Sequence, residues 1–203
     1  MELYLYEGKI EKEILSKVLE DLKVSEEEIL SKKEVKKGGI FKSESLKFTI
    51  VKISDLTSYI KDLLANIFKD LGITVSFETN IRNKQINIKM YSDNNAILIG
   101  KNGQTLSALT LISKQAIYNQ IGLYPYINLD VENYKNNQIQ HIERLAKNIA
   151  REVKNTKTPV VMENMNSYER RIVHNILTDY KGIKTESEGE EPNRHIIVKP
   201  KKD

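Results

Sequence analysis

An apolar helical turn, Ile97-Leu98-Ile99, runs into Gly100-Lys101-Asn102-Gly103, and a second helix is expected to start at once with Gln104. Few arrangements of a chain accommodate that run. The two glycines let a backbone approach with no Cβ in the way. The helix behind them turns its unpaired amide N–H groups, and the positive end of its dipole, toward the bend. An anion fits there, and a phosphodiester has the right reach. A Gly-x-x-Gly alone is common in ordinary turns, so its surroundings decide its meaning.

Those surroundings are regular. From about Asp55, Leu56, Ile60, Leu63, Leu64, Ile67 and Leu71 make one apolar stripe of a helix that Gly72 ends. Val75, Phe77 and Thr79 then alternate with polar residues, Arg82-Asn83-Lys84 is a turn, and Ile86, Ile88 and Met90 alternate again. Ser92 and Asp93 are placed to cap a short helix through Ile99. After the glycine turn a long helix is expected to about Gln120, and Ile127, Leu129 and Val131 mark a closing strand.

This α-β-β-α-α-β order, with a glycine turn joining two helices, resembles the KH domain in its bacterial, type II arrangement. The resemblance implies single-stranded nucleic acid held across the turn, with about four nucleotides clamped. Lys101 would lie against a phosphate, and Gly100, Asn102, Gly103 and Gln104 would complete the contact. Ile97, Leu98, Ile99, Leu106 and Leu109 are equally readable as core or as the apolar floor of a groove.

Residues 1–54 read as a smaller unit before it. Leu3 and Leu5, with Tyr4 and Tyr6, suit an opening strand, and Ile10, Ile14, Leu15, Val18, Leu19 and Leu22 recur at helical spacing. Ser25-Glu26-Glu27-Glu28 reads as the capping-box start of a short second helix. Lys36-Lys37-Gly38 breaks the pattern, and residues 46–53 alternate like a strand. Lys36 and Lys37 make a possible loop site.

From about Lys135 a third unit begins with a two-faced helix. Ile139, Ile142, Leu145, Ala146, Ile149 and Val153 share one side, while His141, Arg144, Lys147, Arg151 and Lys154 lie opposite. Arg144, Lys147 and Arg151 suit either a solvated outer face or a supporting basic stripe. Further on, Asn166 with Glu169 reads as a helix start. Arg170 and His174 stand at i and i+4, one above the other, with Arg171 further into solvent. The pair is readable as structural, or as a guanidinium and an imidazole offered to a phosphate or a base.

The run Met165–His174, then Thr185–Pro192, Arg194 and Ile196–Val198, resembles the arginine-three-histidine module that binds single-stranded nucleic acid, as it occurs in the bacterial Jag family, also called KhpB. That family joins a short N-terminal Jag domain, a type II KH domain and this module, which implies an α+β chain of three small domains: 1–54, 55–134 and 135–203, the last an α/β module with a helix-borne Arg/His pair. Two positions depart from the family pattern. Lys42-Ser43 replaces a glycine expected after Phe41, and Asn102 stands where a second basic residue is frequent, which implies weaker, less salt-sensitive binding. The acidic run Glu186, Glu188, Glu190 and Glu191 lies either beside Arg170, repelling RNA or pairing with the guanidinium, or away from it.

Composition permits this reading. The chain has no cysteine, which excludes disulfides and Cys-based metal sites and suits a reducing cytoplasm. A net charge of +4 allows a polyanion partner without demanding one. The opening Met-Glu-Leu-Tyr is not that of a signal peptide, and no apolar run reaches the roughly 18 residues of a membrane span. No carboxylate pair or metal cluster accompanies the Arg/His pair, so the expectation is a cytoplasmic RNA-binding protein rather than an enzyme, with no cofactor and no metal. The Jag resemblance adds post-transcriptional control tied to cell elongation, division and envelope biogenesis, a small KH-only partner protein, and a homodimer. A protein–protein adaptor for a membrane-insertion or cell-envelope assembly is the alternative.

Overall fold

The computed structural model describes residues 1–36 and 44–201. Lys37, Gly38, Phe41, Lys42 and Ser43, on which the N-terminal loop reading rests, lie outside the described residues. The fold is mixed α+β. Among the described residues there are three three-stranded sheets, and the chain divides into two compact units, Met1–Glu132 and Asn133–Asp203.

The first unit opens with β1 (Tyr4–Gly8), α1 (Glu11–Leu22), a single 3-10 turn (Glu26–Glu28), β2 (Ile29–Lys36) and β3 (Ser45–Lys52). β3 is central and antiparallel to both neighbours. One expectation changes here. The capping box forms, with the Ser25 N–H and hydroxyl donating to Glu28 Oε2 at 2.8 and 2.9 Å. It supports one turn and no more, because Ile29–Lys36 pair with β3 along their whole length. At β1 the tyrosines face inward: Tyr4 and Tyr6 pack on the cluster around Ile14, Val18 and Phe48, while Leu5 points to solvent.

β3 passes straight into α2 (Ile53–Asp70), which buries Ile53, Leu56, Thr57, Ile60, Leu64 and Phe68. Phe68 completes the stripe and Leu71 is exposed. Gly72, at φ +71°, closes the helix as expected, with its N–H on the Lys69 carbonyl. β4 (Val75–Arg82) and β5 (Gln85–Ser92) pair in register from Val75↔Ser92 to Arg82↔Gln85. Asn83 and Lys84 at the turn have φ of 50° and 59°, the left-handed pair that matches the twist of a two-residue hairpin.

α3 (Asn95–Ile99), a tight turn over Lys101–Gly103, α4 (Gln104–Ile121) and β6 (Ile127–Val131) complete the expected order. β6 lies parallel to β5. Ile86, Ile88 and Met90 of β5, with Ile127, Leu129 and Val131 of β6, are buried on the face that α2 and α4 cover.

The second unit holds α5 (Tyr134–Thr156), β7 (Val160–Asn164), α6 (Ser167–Leu177), β8 (Ile183–Glu188) and β9 (His195–Pro200). Its sheet runs β7-β9-β8 and is antiparallel throughout. Residues 134–137 form the first turn of α5. Glu132 and Asn133, just before it, have φ of 45° and 61°. Ala146 and Ala150 let α5 lie close on the core, which Ile142, Val153, Val173, Leu177, Ile196 and Val198 fill.

At the start of α6 the Asn166 side chain accepts from the N–H groups of Tyr168 and Glu169 at 3.0 Å each, and Glu169 Oε2 accepts from Asn166 N–H at 2.9 Å. Gln138 donates to the other Glu169 oxygen at 3.2 Å, so this buried carboxylate is satisfied. Asn166→Ala removes the cap and is expected to cost about 1 kcal/mol, read as a lower denaturant midpoint with an unchanged slope.

Candidate nucleic-acid interface

The turn between α3 and α4 is built from three left-handed residues. Gly100 has φ 70°, Asn102 φ 51° and Gly103 φ 75°. Asparagine is among the few side chains that tolerate this region, which gives position 102 a conformational reason for its residue.

Gly100 is required by its own fold. A Cβ there would stand 2.1 Å from Thr105 Oγ1 and 2.9 Å from the Thr105 nitrogen. The missing side chain therefore admits the start of α4, where the sequence had suggested room for a ligand. Gly103 is buried and Gly100 half-buried.

Two main-chain donors are also spent internally: the Gly103 N–H reaches the Gly100 carbonyl at 3.3 Å, and the Gln104 N–H reaches that of Lys101. What the turn offers outward is the exposed Lys101–Asn102 tip, exposed Gln104, and the positive end of the α4 dipole. Among the described residues Lys101 has no ion-pair partner. Of the residues readable as core or groove, Leu98, Leu106 and Leu109 are core, Ile99 is half-buried, and Ile97 is exposed.

On α6 the structure separates the residues that the sequence had grouped. Arg170 is 8% exposed. Its Nη1 donates to the Met165 carbonyl at 2.6 Å and lies 2.9 Å from Glu191 Oε1. The guanidinium thus joins the start of α6 to the β8–β9 hairpin, and a carboxylate occupies a position that a phosphate oxygen could take.

Arg171, one residue on, is exposed. His174 is half-buried, with Nδ1 2.7 Å from Thr185 Oγ1 on β8. Desolvation, and then the Arg170 charge, hold its pKa below the ordinary imidazole value. Hence the ring is neutral near pH 7.

That shift has a consequence for stability. The unfolded chain takes up the His174 proton near pH 6.5 and the folded chain only at lower pH. Stability is therefore full above about 6.5 and falls as pH drops through that value toward the folded pKa. Denaturant unfolding between about pH 8 and pH 5 should show this fall, and His174→Gln should lack it. A wild-type profile that matched the His174→Gln profile would contradict the assignment.

The acidic run divides between β8 and the connection to β9. Glu186 turns to the outer face, where bonds from Lys199 and then Lys184 bring its carboxyl down to about 2. Glu191 alone is paired with Arg170. Glu188 and Glu190 are exposed.

Of the two placings open to the acidic run, Glu191 takes the one that pairs with Arg170. Two participants escaped the sequence reading of the site: Thr185 beneath His174, and Arg194, whose Nε donates to Ser187 Oγ at 3.0 Å. Their motif was visible, but which side chain meets which depends on hairpin register. Arg144, Lys147 and Arg151 are exposed along α5. Lys36, at the end of β2, is exposed with Nζ 3.5 Å from Glu7 Oε1.

Among the described residues no group of three or more His, Cys, Asp or Glu could hold a metal ion, and no helix is long and apolar enough to cross a membrane.

Comparison with known proteins covers both places. The family described as "KhpA/KhpB, KH domain" matches residues 57–121, and the arginine-three-histidine (R-3-H) domain family matches residues 140–200. The RNA-binding protein KhpB of Clostridium symbiosum is 41% identical over 134 residues, 66% of this chain and 60% of that protein. KhpB of Bacillus subtilis (strain 168) is 36% identical over 121 residues, 59% of this chain and 58% of that protein. KhpB of Lactiplantibacillus plantarum is 30% identical over 137 residues, 68% of this chain and 42% of that protein. The chain thus spans about half the length of the curated relatives it matches.

Proposed function

The chain belongs to the KhpB (Jag) family, and from that footing we propose that it binds single-stranded RNA at two places, the Gly100–Gln104 turn and the α6 edge. The observation that carries this reading is the exposed, unpaired Lys101 on the tip of a left-handed turn at the N-terminus of α4, within the stretch that matches the KH family. Lys101 meets a phosphate, Asn102 and Gln104 supply neutral polar contacts, and Ile97 offers an apolar surface beside them. On the second unit Arg171 and His174 take the neighbouring part of the strand, with Arg144, Lys147 and Arg151 adding to the field.

Both matched families are binding domains, and we read the protein as a binder, not an enzyme. We divide it into a Jag domain (1–54), a KH domain (55–134) and the R-3-H domain (135–203). Two modules on one chain gain avidity of ~10²–10⁴ over one alone. The family resemblance extends the proposal to cytoplasmic post-transcriptional control tied to cell elongation and division, with a small KH-only partner protein and a homodimer as assemblies.

Equilibrium binding of the full chain to single-stranded and duplex RNA of one length tests the reading. The single strand should win, with affinity falling as salt rises. Equal or absent binding to both at low salt would overturn it. Within the same assay Glu191→Gln is expected to raise affinity roughly threefold, the order of one partly exposed ion pair, because it frees Arg170 Nη1 and removes a negative charge from the edge.

A further inference from the structure

A third group of residues, shared with neither of these, has the chemistry of a single-strand site. Tyr118 near the end of α4 and Tyr124 in the connection to β6 stack with centroids 4.4 Å apart and planes 11° apart. The Tyr124 hydroxyl donates to Gln115 Oε1 at 3.2 Å, and Gln115 Nε2 donates to Asn119 Oδ1 at 2.8 Å. The rings are held before any ligand arrives. Tyr124 is 58% exposed and Tyr126, whose carbonyl is fixed by the Ile86 N–H at 2.8 Å, is 75% exposed. A preformed aromatic pair with an open outer face is a surface on which any base can stack, whatever its identity.

Charge selects the occupant. From Asn94 to Leu129 the chain contains no Asp or Glu, although 28 of its 203 residues are acidic. The charged residues in that stretch are Lys101 at the glycine turn and Lys114, one helical turn before Tyr118. Lys32 of β2 brings its Nζ to 2.6 Å from where a Cβ on Gly122 would stand, while pairing with Glu34 at 2.9 Å. Glu34 thus borders the stretch at Gly122, but the stretch itself carries lysine and no acid, a balance from which a polyphosphate gains. The acid-free stretch carries the glycine turn at one end and the tyrosines at the other. Helical rise separates Gly103 from Tyr118 by about 22 Å, a distance that an extended strand leaving the turn can cover.

We propose that Tyr118, Tyr124 and Tyr126 form a base-stacking platform for the RNA strand whose backbone the glycine turn holds. The proposal rests on the RNA-binding reading above. It makes α4 a ruler: strands confined to the turn do not reach the rings, and longer ones do.

The chain has no tryptophan, so Tyr124→Trp in the full chain is a single-indole reporter. Titration with oligouridylate long enough to leave the turn should quench the indole at the same RNA concentration that shifts the protein on a gel. Tyr124→Phe should bind as wild type does. Tyr124→Ala should lose roughly tenfold in affinity for the long strand and nothing for one confined to the turn. Long-strand binding without quenching, with Tyr124→Ala unchanged, would remove the platform and leave the turn standing. No binding by the wild-type chain would remove both. If Tyr124→Ala instead converts a dimer to a monomer in sedimentation, with RNA affinity unchanged, the rings belong to a contact between copies of the chain and the proposal falls.

Discussion

Replacing Lys101 and Asn102 together by Asp is expected to lower affinity for single-stranded RNA about a hundredfold. The tip then changes from one positive charge to two negative ones. Near a protein surface a unit pair at contact distance is worth up to about 4 kcal/mol, and half of that amounts to more than a tenfold effect for each altered charge. The fold should persist, because both positions are exposed and aspartate, like asparagine, tolerates the left-handed region that position 102 occupies. Unfolding free energy should stay within about 0.5 kcal/mol of wild type. A folded variant with unchanged affinity would reduce the turn to a bend.

The second large effect distinguishes two adjacent arginines. Arg170→Ala removes a guanidinium that is buried, bonded to the Met165 carbonyl and paired with Glu191. It should destabilise the second unit by about 2 kcal/mol, the scale of losing a hydrogen bond from a charged group. Any fall in RNA affinity is then partly a fall in folded protein. Arg171→Ala touches an exposed side chain and should leave stability within about 0.5 kcal/mol. It should instead flatten the dependence of log K on log salt by about 0.7, one phosphate contact on a single strand. Denaturant unfolding and salt titration of both variants check this. Equal stability of the two would mean that the Arg170–Glu191 pair contributes little, and an unaltered slope for Arg171→Ala would return that residue to solvent.

What could be read in advance followed periodicity and turn chemistry. The stripe of α2, the β4–β5 hairpin and the Asn166–Glu169 capping box are local patterns, and they stand where the sequence puts them. β2 was misread because Ser25–Glu28 is a genuine helix-start signal that long-range pairing with β3 cuts short after one turn. The inward turn of Tyr4 and Tyr6 follows from strand alternation, which Leu3 and Leu5 satisfy equally well on paper.

At the site the same division holds. Exposure of Lys101 and Arg171 follows from their place on turn and helix. The burial of Arg170 does not, since it depends on Glu191, twenty-one residues downstream, arriving across a hairpin. The role of Gly100 was legible as a need for glycine, but its cause was local: Thr105 packs where a Cβ would stand.

Photocrosslinking of the full chain to single-stranded RNA, followed by mass-spectrometric identification of the attached peptide, tests the central claim most directly. The account predicts RNA on the peptide that carries Lys101 and Asn102, lost in the double Asp variant. Bound RNA whose crosslinks fall only on other segments, with none between Ile97 and Ser107, would contradict it.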